Sequence, residues 1–126
     1  MSGAPILIVD DNPTNLKLAR LLLAGEGYDV RTAADAEQAM AVMAVFRPRL
    51  ILMDLQMPGV DGFELTRRLK SDPVTGDIAI LAVTAYAMKG DAERASAAGC
   101  DGYVPKPIDT RALLALVSRF VGEASP

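Results

Sequence analysis

The sequence predicts a doubly wound α/β domain, and three observations carry that prediction. Short apolar runs alternate with helix-period segments along the whole chain, giving five β–α units in series. Such a series implies a parallel sheet with helices on both faces. The runs also differ in kind. The first, third and fourth are almost wholly apolar, as central strands covered on both faces must be. The second alternates Tyr28, Val30 and Thr32 with Asp29 and Arg31, and the fifth contains Pro105, so both read as edges. Edges at positions two and five give the strand order 2-1-3-4-5.

Each element has its own warrant. "PILIV" (5–9) is the first strand, and a helix follows from about Thr14 to Ala24, with Asn12 as its cap and Pro13 in its first turn. "YDVRT" (28–32) is the second strand, followed by a helix from Asp35 to Phe46. "LILMD" (50–54) is the third; its helix begins near Asp61, where Glu64 three residues on completes a capping pattern. "IAILAVT" (78–84) is the fourth, leading to a helix over 89–98 that Gly90 and Gly99 bracket with permissive backbone. "GYVPK" (102–106) is the fifth, and a helix from Asp109 to Val121 closes a single domain spanning residues 1–126.

Composition narrows the chemistry. An apolar fraction of 51% with 23% charged residues is ordinary for a globular domain. No apolar run reaches the ~18 residues that would span a bilayer, and no signal-peptide layout opens the chain. The one cysteine, Cys100, cannot form an internal disulfide, so the expected location is cytoplasmic. A net charge of -3 without a basic cluster argues against direct nucleic-acid binding. With no histidine, zinc or haem ligation and His-based acid–base catalysis are improbable, and the chain cannot carry a phosphohistidine of its own. Any metal should be a hard cation held by oxygen.

In the predicted order, strands one and three are neighbours and the ligand crevice lies at their C-terminal ends. Asp10, Asp11 and Asp54 all fall there. A single Asp at such a place is ordinarily a helix cap. Here Asn12 and Pro13 already start the first helix, and Asp54 lies seven residues before Asp61, too far upstream to cap the third. At ~4 Å each carboxylate pair repels by about 1 to 4 kcal/mol for an effective dielectric of 80 down to 20. A divalent cation relieves that repulsion, and Mg²⁺ suits a site of few carboxylates because it keeps several waters. A carboxylate beside Mg²⁺ points to phosphoryl chemistry. Thr84 and Lys106 end strands four and five toward the same crevice. Singly they read as a local hydrogen-bonding Thr and a solvated Lys. Lys106, placed just before a helix N-terminus that favours anions, fits better opposite carboxylates or a phosphoryl group.

The strings "VDDN", "LMDLQMPGVDGFEL", "AVTAYAMKGD" and "GYVPKPI", in this order and spacing, resemble the receiver domain of bacterial response regulators. The resemblance runs from about Pro5 to Val121 and is nearest to single-domain DivK-type regulators through "TAYAMKGDAER"; similar strings occur in receivers of hybrid histidine kinases. It implies the flavodoxin-like (βα)5 receiver fold. It also implies that Asp54 accepts a phosphoryl group from a partner's phosphohistidine, carried by a histidine kinase or a histidine phosphotransfer protein. Asp11, Asp54 and the backbone carbonyl of Gln56 would ligate Mg²⁺ (or Mn²⁺), with Asp10 acting largely through a metal-bound water. Thr84 would hydrogen-bond the phosphoryl oxygens and Lys106 would pair with them. Tyr103 matches the aromatic that reorients on activation, which is otherwise a half-exposed edge residue. Gln56 and Tyr86 match positions that tune the lifetime of the acyl phosphate. The switched face would be helix four, strand five and helix five, offered to a downstream protein target. No turnover enzyme is implied; the domain would catalyse only its own Asp phosphorylation and dephosphorylation.

Three other expectations stand beside this one. A Mg²⁺-dependent aspartyl-phosphate phosphatase needs a second Asp two residues after its nucleophile, and the residue two after Asp10 is Asn12. A flavodoxin-like binding protein needs phosphate donors in the first β–α loop, where Asp10 and Asp11 repel anions. A receiver cut from a hybrid kinase is the nearer alternative; only four residues precede the first strand, which favours a free-standing regulator. The sharp turn at Lys106, together with the resemblance, leads us to expect a cis Lys106–Pro107 bond. Leu16, Leu18, Leu21, Leu22 and Leu23 exceed one inward stripe on helix one. They read either as generous core packing or, at Leu18, as a contact for the helix bundle bearing the donor histidine.

Overall fold

The computed structural model describes residues 3–57, 60–84, 91–105 and 109–121. Five strands form one parallel sheet: β1 (Pro5–Val9), β2 (Asp29–Ala33), β3 (Leu50–Asp54), β4 (Ala79–Thr84) and β5 (Gly102–Pro105). Their order is β2-β1-β3-β4-β5, the predicted one. The helices are α1 (Pro13–Gly25), α2 (Ala36–Met43), α3 (Gly62–Ser71), α4 (Asp91–Ala98) and α5 (Thr110–Val121).

Strand alternation sorts the core into two layers. Ile6 and Ile8 of β1, Leu50 and Leu52 of β3, and Leu81 and Val83 of β4 pack with Ala19 and Leu23 of α1 and Leu113, Val117 and Val121 of α5. The intervening Leu7, Val9, Ile51, Met53, Ile80 and Ala82 pack on the other face with α2, α3 and α4. β3 is buried along its whole length, as expected of the middle strand. β2 exposes Asp29 and Arg31 and turns Val30 and Thr32 partly inward, as its edge pattern required.

Two local features depart from the sequence reading. α2 ends at Met43, three residues before the expected Phe46. Its start is a reciprocal cap: Asp35 Oδ1 accepts from Gln38 N at 2.8 Å, and Gln38 Oε1 accepts from Ala34 N at 2.9 Å. Its end tightens as Val45 N bonds Val42 O, ahead of an Arg47–Pro48 step that disfavours helix at Arg47. Phe46 is buried from the loop instead, with the Arg31 guanidinium 4.6 Å from its ring centroid. The second departure is a small antiparallel ribbon, Gln56–Met57 against Val60–Asp61, between β3 and α3. A turn signal, Pro58–Gly59, stands in the sequence between its two strands.

The far end of α3 is tied to the sheet by Lys70. Its Nζ bonds Ile78 O and Asp101 Oδ2, both at 2.8 Å, and Asp101 Oδ2 also accepts from Ile80 N. Cys100 sits beside this network, half-buried, with its thiol toward Thr66 Oγ1 at 3.9 Å. Burial pushes the Cys100 thiol up and the neighbouring Asp101 adds to the shift, while Thr66 and Lys70 oppose it. The reactive thiolate therefore forms only at higher pH than in a free thiol. Alkylation of native protein at pH 8 should be slower than that of urea-unfolded protein, with the gap narrowing as pH rises. Equal rates at pH 8 would show that Cys100 is not shielded.

Candidate functional site

The acidic residues complete two apolar stripes. Along β1 the inward series Ile6, Ile8 leads to Asp10, and along β3 the series Leu50, Leu52 leads to Asp54. Alternation therefore places both carboxylates on the α1 side of the sheet, on adjacent strands. Asp10 is 6% and Asp54 is 3% exposed, while Asp11 is exposed. One carboxylate oxygen from each of the three lies within 4.8 Å of the others. A small cavity beneath Asp10 and Asp54 is walled by Ile8, Leu52, Val83 and, from α1, Asn15 and Ala19.

The loops that hold this cluster are built from local rules. Asn12 caps α1, its Oδ1 accepting from Thr14 N at 2.9 Å and Asn15 N at 3.1 Å, with Pro13 in the first turn. Its own N–H donates to Asp10 Oδ1 at 2.9 Å. The Asp10 N–H bonds Ala33 O at 3.1 Å, fixing the strand end against β2. On the β3 side, the ribbon returns the chain so that Gly62 opens α3 directly on the Asp54–Leu55 peptide. A Cβ at Gly62 would stand 2.7 Å from Leu55 Cα and 2.9 Å from Asp54 O, so only glycine permits this approach. Thr66, fully buried, locks the first turn of α3 through a 2.8 Å bond from Oγ1 to Gly62 O.

The structure thus brings Asp10, Asp11 and Asp54 together as predicted. Thr84 closes β4 at the same end of the sheet, in register with Pro105, and the Gln56 backbone follows Asp54 in the ribbon. Tyr103 on β5 is half-buried and packs on the layer beneath α3 and α4. Lys106, the Lys106–Pro107 bond, Tyr86 and Gly90 lie outside the described residues. Leu18 and Leu21 of α1 are 59% and 54% exposed, so the helix buries Ala19 and Leu23 and not every leucine. Core packing does not account for those two. The sequence reading saw Asn12 only as a cap and passed over Gly62 altogether.

Residues 6–118 match the model of the response regulator receiver domain. The chain belongs to that family. The polar-differentiation response regulator DivK of Brucella anthropi is 40% identical over 119 residues, covering 94% of this chain and 97% of that protein. A CheY-like receiver domain protein from Methanospirillum hungatei superposes with a TM-score of 0.86 at 31% identity, covering 95% of this chain and 94% of that one. The receiver domain of a sensor histidine kinase from Pseudomonas aeruginosa, solved with a magnesium ion coordinated in its active-site cleft, does so with a TM-score of 0.86 at 35% identity, covering 95% of this chain and 98% of that one.

The close approach at Gly62 gives this receiver domain a testable weak point. Gly62→Ala forces backbone apart beside Asp54 and should destabilise the fold by about 1–3 kcal/mol, the usual cost of overpacking. Urea unfolding measures it. Unchanged stability would mean that α3 does not rest on the Asp54–Leu55 peptide.

Proposed function

We propose that this domain is a phosphoacceptor response regulator whose Asp54 takes a phosphoryl group from a partner's phosphohistidine. The observation that carries the proposal is the convergence of three carboxylate oxygens within 4.8 Å on a crevice where Asp54 is nearly buried. All the donors are hard oxygens, a set that fits Mg²⁺ and not a soft metal. Asp11 and Asp54 would hold the ion directly with the Gln56 carbonyl, and Asp10 through a water. When bound, Mg²⁺ supplies neutralising charge for the transferring group. The magnesium site of the Pseudomonas receiver supports this reading.

In the transfer, an Asp54 oxygen forms a bond to phosphorus as the phosphorus–nitrogen bond of the donor breaks, and the leaving imidazole takes up a proton. Thr84 and Lys106 are the proposed partners of the phosphoryl oxygens, and Gln56 and Tyr86 the residues that set its lifetime. The chain then acts on itself alone, with no turnover of a separate substrate. The exposed Leu18 and Leu21 form an apolar surface on α1, the helix beside the crevice. They suit docking of the donor's helix bundle, from a histidine kinase or phosphotransfer protein.

The similarity to DivK along almost its full length supports a free-standing regulator, for which we propose a cytoplasmic location. The likeness to kinase-borne receivers keeps the hybrid-kinase fragment as the second reading. Among the described residues no helix is long and apolar enough to cross a membrane. A net charge of -3 disfavours direct contact with nucleic acid.

Signalling would run to the face made by α4, β5 and α5. An added charge of roughly -1.5 to -2 must be met by new donors. Drawing Thr84 toward it leaves room for Tyr103 to turn inward, and the phosphoryl group biases that equilibrium by binding one state better. The left-handed Gly99, at φ 107°, ends α4 with backbone able to follow.

With a small phosphodonor and Mg²⁺, intact mass should show one added phosphoryl group, absent in Asp54→Ala. Equal labelling of that variant would place the acceptor elsewhere. A phosphoryl mimic should move amide resonances from Asp54 out to Tyr103 and α4. Shifts confined to the metal-contacting residues would describe a store of phosphoryl groups without output through that face.

A further inference from the structure

Asn12 joins the acidic crevice to the first helix, and it does so with two different groups. Its side-chain oxygen accepts from Thr14 N and Asn15 N and so holds the first turn of α1. Its backbone N–H donates to Asp10 Oδ1 at 2.9 Å. The backbone is extended, φ -91° and ψ 114°, in the region to which a following proline confines it. The helix it caps is anchored by buried Ala19 and Leu23, and Asn15 walls the cavity under Asp10 and Asp54.

Resting on the reading of the cluster as a divalent-cation site, we propose that Asn12 is a positioning residue for that cation. Its cap fixes the peptide N–H that orients Asp10. Three crowded carboxylates gain by rotating apart when no cation is present. A hydrogen bond from a rigidly held N–H to one Asp10 oxygen opposes that rotation and presets the carboxylate's direction. Groups that orient a carboxylate bound to a metal or to its waters in this way govern affinity without touching the ion. A bond from a mobile loop would not do so, and the side-chain cap is what makes this N–H part of the anchored helix.

An ordinary cap contributes stability alone, so the test separates affinity from stability. Mg²⁺ is titrated into the metal-free protein by NMR or calorimetry, with unfolding measured alongside. The variants are Asn12→Ala, Asn12→Ser, Asp11→Ala and Val117→Ala, the last a remote core truncation in α5. Asn12→Ala should bind Mg²⁺ about tenfold more weakly, whereas Asn12→Ser, which still caps, should stay within about threefold of the parent. Val117→Ala should lose stability and keep its affinity. Equal affinity in Asn12→Ala overturns the positioning role and leaves the metal site standing. Asn12→Ser as weak as Asn12→Ala, or Val117→Ala weakened alike, also overturns it, by showing a direct contact or general loosening. A parent that binds no Mg²⁺, or binds it equally well in Asp11→Ala, overturns the site reading and this inference together.

Discussion

Three carboxylates held close together are the constraint on which the rest of this domain depends. Asp10 and Asp54 are almost fully buried and share their crevice with Asp11. Their mutual repulsion, about 1 to 4 kcal/mol per pair at ~4 Å, is a large share of the ~5–15 kcal/mol net stability of a typical domain. The fold must supply that energy from elsewhere. It does so with a sheet whose central strand is buried at every position and whose two faces carry separate apolar layers.

That sheet also fixes where the charges point. A two-residue period is rigid, so the residue ending a strand inherits its face from the apolar residues before it. Ile6 and Ile8 commit Asp10 to the α1 side, and Leu50 and Leu52 commit Asp54 to the same side. A one-residue slip in either strand would send its carboxylate to the opposite layer. Residues at both strand exits resist displacement there. Asn12 and Ala33 hold the end of β1, and the bare Gly62 lets α3 rest on the end of β3.

Much of this was legible in the sequence because it depends on period and sign. Strand order followed from which runs were uniformly apolar, and the acidic cluster followed from strand order. What escaped depends on tertiary contact or on phase. Asn12 could be read as a cap from Asn-Pro, but its N–H bond to Asp10 depends on where the folded strand end places the Asp10 carboxylate. Gly62 carried no signal of its own, because the peptide it approaches is eight residues upstream and returns through an unforeseen ribbon. The expected α2 ran on to Phe46, whereas Phe46 is buried from the loop with Arg31 above its ring. On α1 the five leucines exceeded one inward stripe without showing which of them face the sheet; the buried line is Ala19 and Leu23, four residues apart.

The layered core sets the route that any signal from Asp54 must take. Asp54 faces the α1 and α5 side, whereas Tyr103 packs with the layer beneath α3 and α4. A change at Asp54 cannot reach Tyr103 through one continuous side-chain layer, because the buried sheet stands between them. It has to pass around the strand ends, where β4 finishes at Thr84 in register with Pro105 of β5. It can also pass through α3, which touches the Asp54 backbone at Gly62 and carries Phe63 under the Arg94 guanidinium of α4, 4.2 Å from the ring centroid. The first path moves side chains at the rim; the second would tilt a helix already braced by Thr66 and Lys70. Arg94 on Phe63 is placed to keep α3 and α4 together along that second path.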